Sequence, residues 1–383
     1  MISLMLSSAE SMSSANESHL WFAFIIRVEA SKSSDYRHSG QLRGDLDAGD
    51  GVMMWSKRAL QMLVLPTFLV LISACSLTDP EDEGPSTQGD AETRTVEHAF
   101  GKTTVEGTPE RIVSVGFREH DALLALGIQP VMVHQWYSEY SSGVGLWAEP
   151  YLDGDPPAII PSSATDLPFE EIAAEEPDLI VGLDAGLDQQ TYDRLSEVAP
   201  TIANPKDAAP YAVPYDQEMQ MIGDAVDRDE EADQWVKDTE EAFTKARDEH
   251  TEFKGKTAAV GCPLENGGFA LYPTTDPRGE FLSELGFTVP EEVDEAAADN
   301  YYAEISAENL SMFEDYDLLL VIDDCGAPTV DLNEHPTFKS LDIAKRGDYI
   351  YPAPASDALS HNTVLSVPYA LDKLLPKIED IVP

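Results

Sequence analysis

Cysteine and positive charge are scarce in this chain, and each shortage removes function classes. Three cysteines in 383 residues, none in a C-x-x-C pair, exclude a disulfide scaffold and speak against a structural zinc site. Only 24 Lys+Arg stand against 71 Asp+Glu, a formal net charge of −47. Phosphate backbones and anionic lipid surfaces repel such a chain, so no nucleic-acid partner is expected. Beyond residue 74 the only histidines are His98, His120, His134, His250, His335 and His361, at no ligand-like spacing. A metal-ion receptor needs convergent imidazoles and carboxylates, so no metal site or cofactor is expected. No G-x-S-x-G, H-E-x-x-H or P-loop occurs, which leaves an enzymatic reading only a dispersed catalytic site.

What is present suits a packed body: 43% of residues are hydrophobic and 8% aromatic, and the length is that of two to three domains. The N-terminal part concerns address. Met53-Met54-Trp55-Ser56-Lys57-Arg58 leads into the apolar segment Ala59 to Leu71 and then Ile72-Ser73-Ala74-Cys75. Basic, apolar and small residues in that order form a secretory signal over 53–74, too short in its apolar part for a membrane span. Leu71-Ile72-Ser73-Ala74-Cys75 also resembles the bacterial lipobox, which implies cleavage before Cys75, a lipid on its sulfur and attachment to the outer face of the cytoplasmic membrane. Residues 1–52 carry neither signal nor domain pattern, and translation is expected to start at Met53 or Met54. Seven acids and six bases precede Cys75, so 64 of the 71 acids and 18 of the 24 bases belong to the exported part. Residues 75–95, rich in Asp, Glu, Pro, Gly, Ser and Thr, read as a flexible tether.

Strands and helices alternate from about Val96 onward. Arg111–Gly116, Val131–Val133 and Asp178–Gly182 read as buried strands, with helices over His120–Leu126, Phe169–Ala174 and Gln189–Val198, the last capped by Asp188. That rhythm predicts an α/β lobe over 96–228 with a largely parallel sheet. Asp216–Val226 is a helix, and Asp229–Phe253 a longer one, with Ala232, Val236, Thr239, Phe243 and Ala246 at helical spacing. A second lobe over 255–383 follows, with strands at Thr257–Gly261, Phe269–Tyr272, Leu318–Ile322 and Tyr349–Tyr351, and helices at Gly279–Leu285 and Val364–Ile378. The predicted architecture is α/β, with two Rossmann-like lobes joined by one connecting helix over 229–254. A two-lobed body carries its ligand in the cleft.

A weak duplication supports the two lobes. Pro168-Phe169-Glu170-Glu171-Ile172 followed by Asp178-Leu179-Ile180-Val181 matches Ser306-Ala307-Glu308-Asn309-Leu310 followed by Asp317-Leu318-Leu319-Leu320. Each copy reads as a short helix bearing a glutamate, then Asp and an apolar strand. On pattern alone Glu170 and Glu308 are equally well ordinary first-turn acids that favour the helix dipole.

Several segments together resemble a family. His98-Ala99-Phe100-Gly101, Pro109-Glu110-Arg111-Ile112-Val113 and Asp121 to Gly127 are similar to the start of iron–siderophore-binding lipoproteins, the class III substrate-binding proteins of bacterial ABC importers. Glu176-Pro177-Asp178-Leu179-Ile180, Tyr192 to Pro200, Asp276 to Leu282, Leu285-Gly286-Phe287 and Leu365 to Leu371 fit the same family, so the likeness spans nearly all of 96–380. It implies a monomeric receptor that binds a ferric siderophore between rigidly connected lobes and delivers it to a permease. It further implies that one surface glutamate per lobe docks into arginine pockets of that permease, and Glu170 and Glu308 fall on those positions. The pairing suits bidentate carboxylate–guanidinium chemistry.

Loops at the C-terminal ends of strands should line the cleft. They nominate Phe117, Arg118, Trp136, Tyr137 and Asp184 on the first lobe, and Phe269, Tyr272, Arg278, Tyr301 and Tyr302 on the second. Aromatic faces would pack on a chelate and arginines donate to its iron-bound oxygens. Few cleft bases are available for a polyanionic catecholate, which favours a hydroxamate or mixed siderophore. Haem or a corrinoid on the same fold, with Tyr301 or His361 as axial ligand, stays open. In a sheet of the family's kind, the strands preceding Cys262 and Cys325 are neighbours, which brings the sulfurs to one edge; a disulfide is expected, two free thiols being the alternative.

Overall fold

A computed structural model describes residues 93–164, 166–298, 300–322, 332 and 334–383. The signal segment, Cys75, the residues before Thr93 and Cys325 lie outside the described residues.

The first sheet has five strands, β3 (Ile112–Ser114), β4 (Met132–His134), β5 (Ala158–Ile160), β6 (Leu179–Gly182) and β7 (Thr201–Ala203), in the spatial order β5-β4-β3-β6-β7. Every pairing is parallel. The apolar runs of β3, β6 and β7 are wholly buried, as a parallel sheet covered on both faces requires. Helices α1 (His120–Ala125), α2 (Phe169–Ala174) and α3 (Gln189–Ser196) connect these strands. Asp188 caps α3 by accepting from the Thr191 amide, as the sequence led us to expect.

The second sheet runs β10 (Ala303–Ile305), β9 (Phe269–Leu271), β8 (Ala258–Pro263), β11 (Leu318–Val321), β12 (Tyr349–Ile350). Here β8, β11 and β12 are parallel, while β9 and β10 fold back antiparallel. Its helices are α6 (Pro277–Glu284), α7 (Glu291–Ala297), α8 (Asp342–Arg346), α9 (Ser356–His361) and α10 (Ser366–Glu379). Between the sheets in sequence stand α4 (Tyr215–Val226) and the 21-residue α5 (Asp229–Glu249). Buried Phe243 of α5 lies 6.4 Å from Tyr215 of α4 and 5.5 Å from Phe281 of α6, so the connecting helix belongs to one continuous core with both neighbours.

The duplication proves to be a structural device. The Asp178 carboxylate accepts from the amides of Glu110 and Arg111 at the start of β3, and the Asp317 carboxylate accepts from the Thr257 amide just ahead of β8. Each aspartate locks the start of its own strand, β6 or β11, to the adjacent parallel strand.

Three expectations need correction. The connecting helix stops at Glu249 rather than running to 254: His250 leaves helical geometry, and a short 3-10 turn over Thr251–Phe253 brings Phe253 into stacking contact with Phe287 at 4.8 Å. The tether ends before residue 95, because Thr93–His98 (β1) pairs with Gly101–Glu106 (β2) in a hairpin that buries Val96 and Val105. Glu308 sits in a turn ahead of a 3-10 helix over Leu310–Asp315, whereas Glu170 is in the first turn of α2.

Replacing Phe243 with Ala should lower stability by about 3–5 kcal/mol, the usual loss for a buried aromatic. Urea denaturation reads this; a loss below about 1 kcal/mol would mean that the connecting helix is not bonded into the core.

Candidate functional site

Arg118 follows β3 and is completely buried. Its Nε lies 3.2 Å from Asp184 Oδ2 and 3.3 Å from Glu218 Oε2, Nη1 donates to the His361 carbonyl at 2.6 Å, and Nη2 donates to the Val213 carbonyl. These partners come from the loop after β6, from α4, from the segment leading into α4, and from the end of α9 in the second lobe. Burial by itself would lower the guanidinium pKa, but Asp184 and Glu218, with Glu280 and Glu119, hold it above its ordinary value. The carboxyls move the other way: burial pushes Glu119 up to about 7 and raises Asp184 and Glu218, against the opposing pull of Arg118. Gly116 makes room for Glu119, since a Cβ there would lie 2.1 Å from Glu119 Oε1.

Further bonds surround this centre, two of them between the lobes. Buried Asp121 accepts at one oxygen from Trp147 Nε1 at 2.6 Å and from Thr363 Oγ1 at 2.5 Å, and Tyr140 donates to Asp357. Burial raises Asp121 to about 6, although both donors favour its charged form. Thr363 and Ser366 exchange side-chain-to-amide bonds that start α10, fixing Thr363 for its bond across to Asp121.

An aromatic wall runs between the lobes. The Trp136 and Tyr137 rings stack at 5.4 Å with 1° between planes, and Phe117 lies 5.6 Å from Trp136 and 6.3 Å from Tyr211. Tyr211 in turn meets Tyr301 at 6.3 Å, and Tyr301 meets Tyr302 at 5.0 Å. His361 is enclosed by Trp136, Tyr137 and Trp147 at 5.0, 5.6 and 4.7 Å. Burial, then the nearby His120, hold its imidazole neutral, well below the ordinary histidine value. Beside this wall lies a cavity of about 460 Å³, bounded by the segment 207–217 of the first lobe and by 274–280 and 298–301 of the second.

Of the nominated residues, Tyr301 lines this cavity, and Phe117, Trp136, Tyr137 and Tyr302 form the wall with it. Asp184 and Arg118 are brought together, but as a buried ion pair outside the lining, which corrects the expectation that Arg118 offers its donors to a ligand. Arg278 is likewise engaged, with Nε 2.8 Å from Asp276 Oδ1 and its guanidinium 3.7 Å over the Tyr272 ring. Phe269 does not belong to the cleft: it is fully buried in the second lobe, 5.2 Å from Phe313 and 5.7 Å from Phe338. His361, one of the two axial-ligand candidates, faces aromatic rings and is absent from the cavity lining. Among the described residues no group of three or more His, Cys, Asp and Glu is placed to hold a metal ion. Glu170 and Glu308 are both exposed. Cys262 is fully buried on β8, beside β11, and is disulfide-bonded; its expected partner Cys325 lies outside the described residues.

Sequence reading missed Glu218, Tyr211 and Glu280. Glu218 did leave a signal, a carboxylate on the buried face of α4 among Tyr215, Met219 and Ile222. Tyr211, in the left-handed region at φ 63°, and Glu280 left none.

Residues 112–352 match the family model described as periplasmic binding protein. The Fe(3+)-citrate-binding protein YfmC of Bacillus subtilis is 28% identical over 305 residues, covering 76% of this chain and 88% of that protein. A periplasmic solute-binding protein of Mycobacterium smegmatis superposes with a TM-score of 0.67 at 32% identity, over 76% of this chain and 99% of that one. Streptococcus pneumoniae PiaA, solved in complex with ferrichrome, does so with a TM-score of 0.65 at 26% identity, over 75% and 98%.

The raised Glu119 carboxyl makes stability fall as pH rises: the folded protein holds a proton that the unfolded chain releases near 4.5, and that advantage is lost through about 7. Glu119→Gln, a mimic of the protonated acid, should match the parent near pH 4 and exceed it by roughly 3 kcal/mol above pH 8. His120 and His134, whose folded values near 4 affect stability as pH falls below 6.5, act alike on both proteins. Denaturation across pH 4–8 checks this, and a gap that does not change with pH would contradict it.

Proposed function

This chain belongs to the periplasmic binding protein family, and we propose that it is an extracytoplasmic, lipid-anchored receptor that binds a ferric siderophore between its lobes and passes it to an ABC importer. The observation that carries this reading is the aromatic wall and cavity bounded by both lobes. Flat, apolar faces from two rigid bodies suit the organic shell of a chelate, which a bare metal ion lacks. YfmC, whose name specifies ferric citrate, and PiaA, solved with ferrichrome, support iron chelates as the cargo class. The protein binds and releases its cargo unchanged and is not an enzyme. A hydroxamate or mixed chelate is the preferred cargo, because the two buried arginines near the cleft are already engaged by protein acceptors.

The extensive cross-lobe bonding supports a receptor that closes modestly, so the importer must recognise a nearly rigid surface. Exposed Glu170 and Glu308, on corresponding approaches to β6 and β11, are the residues proposed to dock it, one per lobe. The lipid on Cys75 supplies the attachment that the acidic body opposes. Cys262 and Cys325 are proposed to form the disulfide of the second lobe.

Trp136 and Trp147 report directly on the site. Titration of purified protein with ferric hydroxamates, ferric citrate, ferric catecholates, haem and cobalamin should give saturable quenching by one ferric class at sub-micromolar concentration. Quenching by haem or cobalamin alone would replace the siderophore reading. In cells, Glu170→Ala with Glu308→Ala should reduce uptake at least tenfold and leave cargo affinity within twofold; a large loss of affinity would remove both residues from the docking role.

A further inference from the structure

We infer that the cavity beside Glu280 receives a positively charged arm of the ferric chelate, an aliphatic ammonium group. The receptor would then favour chelates of neutral or positive net charge over polyanionic ones. This inference rests on the siderophore reading and narrows it to a cargo class.

The cavity lining combines two carboxylates, Asp207 and Glu280, with neutral hydrogen-bonding groups such as Gln217 and Asn300, and among the described residues it contains no lysine or arginine. The bases that stand nearby do not compensate for this. Arg118 is enclosed by Asp184, Glu218 and two carbonyl oxygens, and Arg278 is paired with Asp276 over Tyr272. Arg118 is held by Asp184 and Glu218, with a weaker share from Glu280, and Arg278 by Asp276, so neither offers its charge outward and an incoming anion meets Glu280 and Asp207 first.

Glu280 is also positioned. It stands in the first turn of α6, where one oxygen accepts from the Asn362 amide nitrogen at 2.8 Å. Asn362 is itself held in the left-handed region at φ 46°, fully buried at the end of α9, the helix whose last carbonyl accepts from Arg118. The second Glu280 oxygen has no hydrogen-bond partner among the described residues and belongs to a side chain on the cavity wall. Burial raises the Glu280 carboxyl to about 7, so an acid with one oxygen fixed and one free is held ionised by, and pairs with, a three-donor ammonium head docked against it. Reduced solvent screening in such a cleft strengthens that attraction, and strengthens the repulsion of a polyanion equally. The aromatic wall takes the uncharged iron-bound part, so the two halves of the site address the two halves of the cargo.

The test uses two ligands with the same iron-binding portion and a single difference in charge: ferrioxamine B, with its free terminal amine, and its N-acetylated form. Fluorescence titration at fixed ionic strength should show the amine form binding about tenfold tighter or more. Ferric citrate should bind more weakly than either. Glu280→Gln should bring the two ferrioxamines within about twofold of each other. Equal affinities in the parent protein, or an unchanged preference in Glu280→Gln, overturn the inference while the siderophore reading stands. Failure of every ferric chelate to bind overturns both. The comparison of the two ligands on the parent protein decides the point even if the substituted protein folds poorly.

Discussion

A guanidinium without access to water is the constraint around which this molecule is arranged. Leaving an ion of that size unpaired in the interior costs several kcal/mol, so Arg118 has to be met by acceptors from every side. Those acceptors are Asp184 after β6, Glu218 on α4, Val213 ahead of α4 and His361 at the end of α9. The last belongs to the opposite lobe. The requirement to satisfy one buried charge therefore fixes where the second lobe stands against the first. The bonds of Asp121 to Thr363 and of Tyr140 to Asp357 follow the same seam.

The arrangement also separates two kinds of charge. The net −47 is a property of the whole chain and bears on solubility and on repulsion from acidic surfaces. Recognition depends on the few groups at the cavity, where burial and pairing decide which charges a ligand meets. Arginine count is a poor guide here: both arginines near the cleft are engaged internally, while Glu280 keeps an oxygen free.

Each lobe repeats one solution to strand registration. Asp178 and Asp317 stand at the same point of two sheets and accept amide hydrogens from the neighbouring strand. Beyond this device the lobes diverge, one sheet wholly parallel and the other bent back through β9 and β10. The exposed glutamates inherit that divergence, Glu170 in a helix and Glu308 in a turn.

Read alone, the sequence was sufficient for whatever local chemistry dictates. Apolar runs marked β3, β6 and β11, Asp188 announced the start of α3, and the three-to-four spacing of Ala232, Val236, Thr239, Phe243 and Ala246 marked the buried face of α5. The aromatic and charged residues that cluster between the lobes were mostly legible as types. Their assignments were not, because whether Arg118 meets a ligand or Asp184 depends on contacts between residues up to 243 positions apart. Phe269 illustrates the same limit, its strand position being compatible with cleft or core until Phe313 and Phe338 closed around it. Spacing along a chain encodes local hydrogen bonding and the burial of a face. Which buried charges neutralise one another, and which remain for a ligand, is decided only when distant segments share one low-dielectric space.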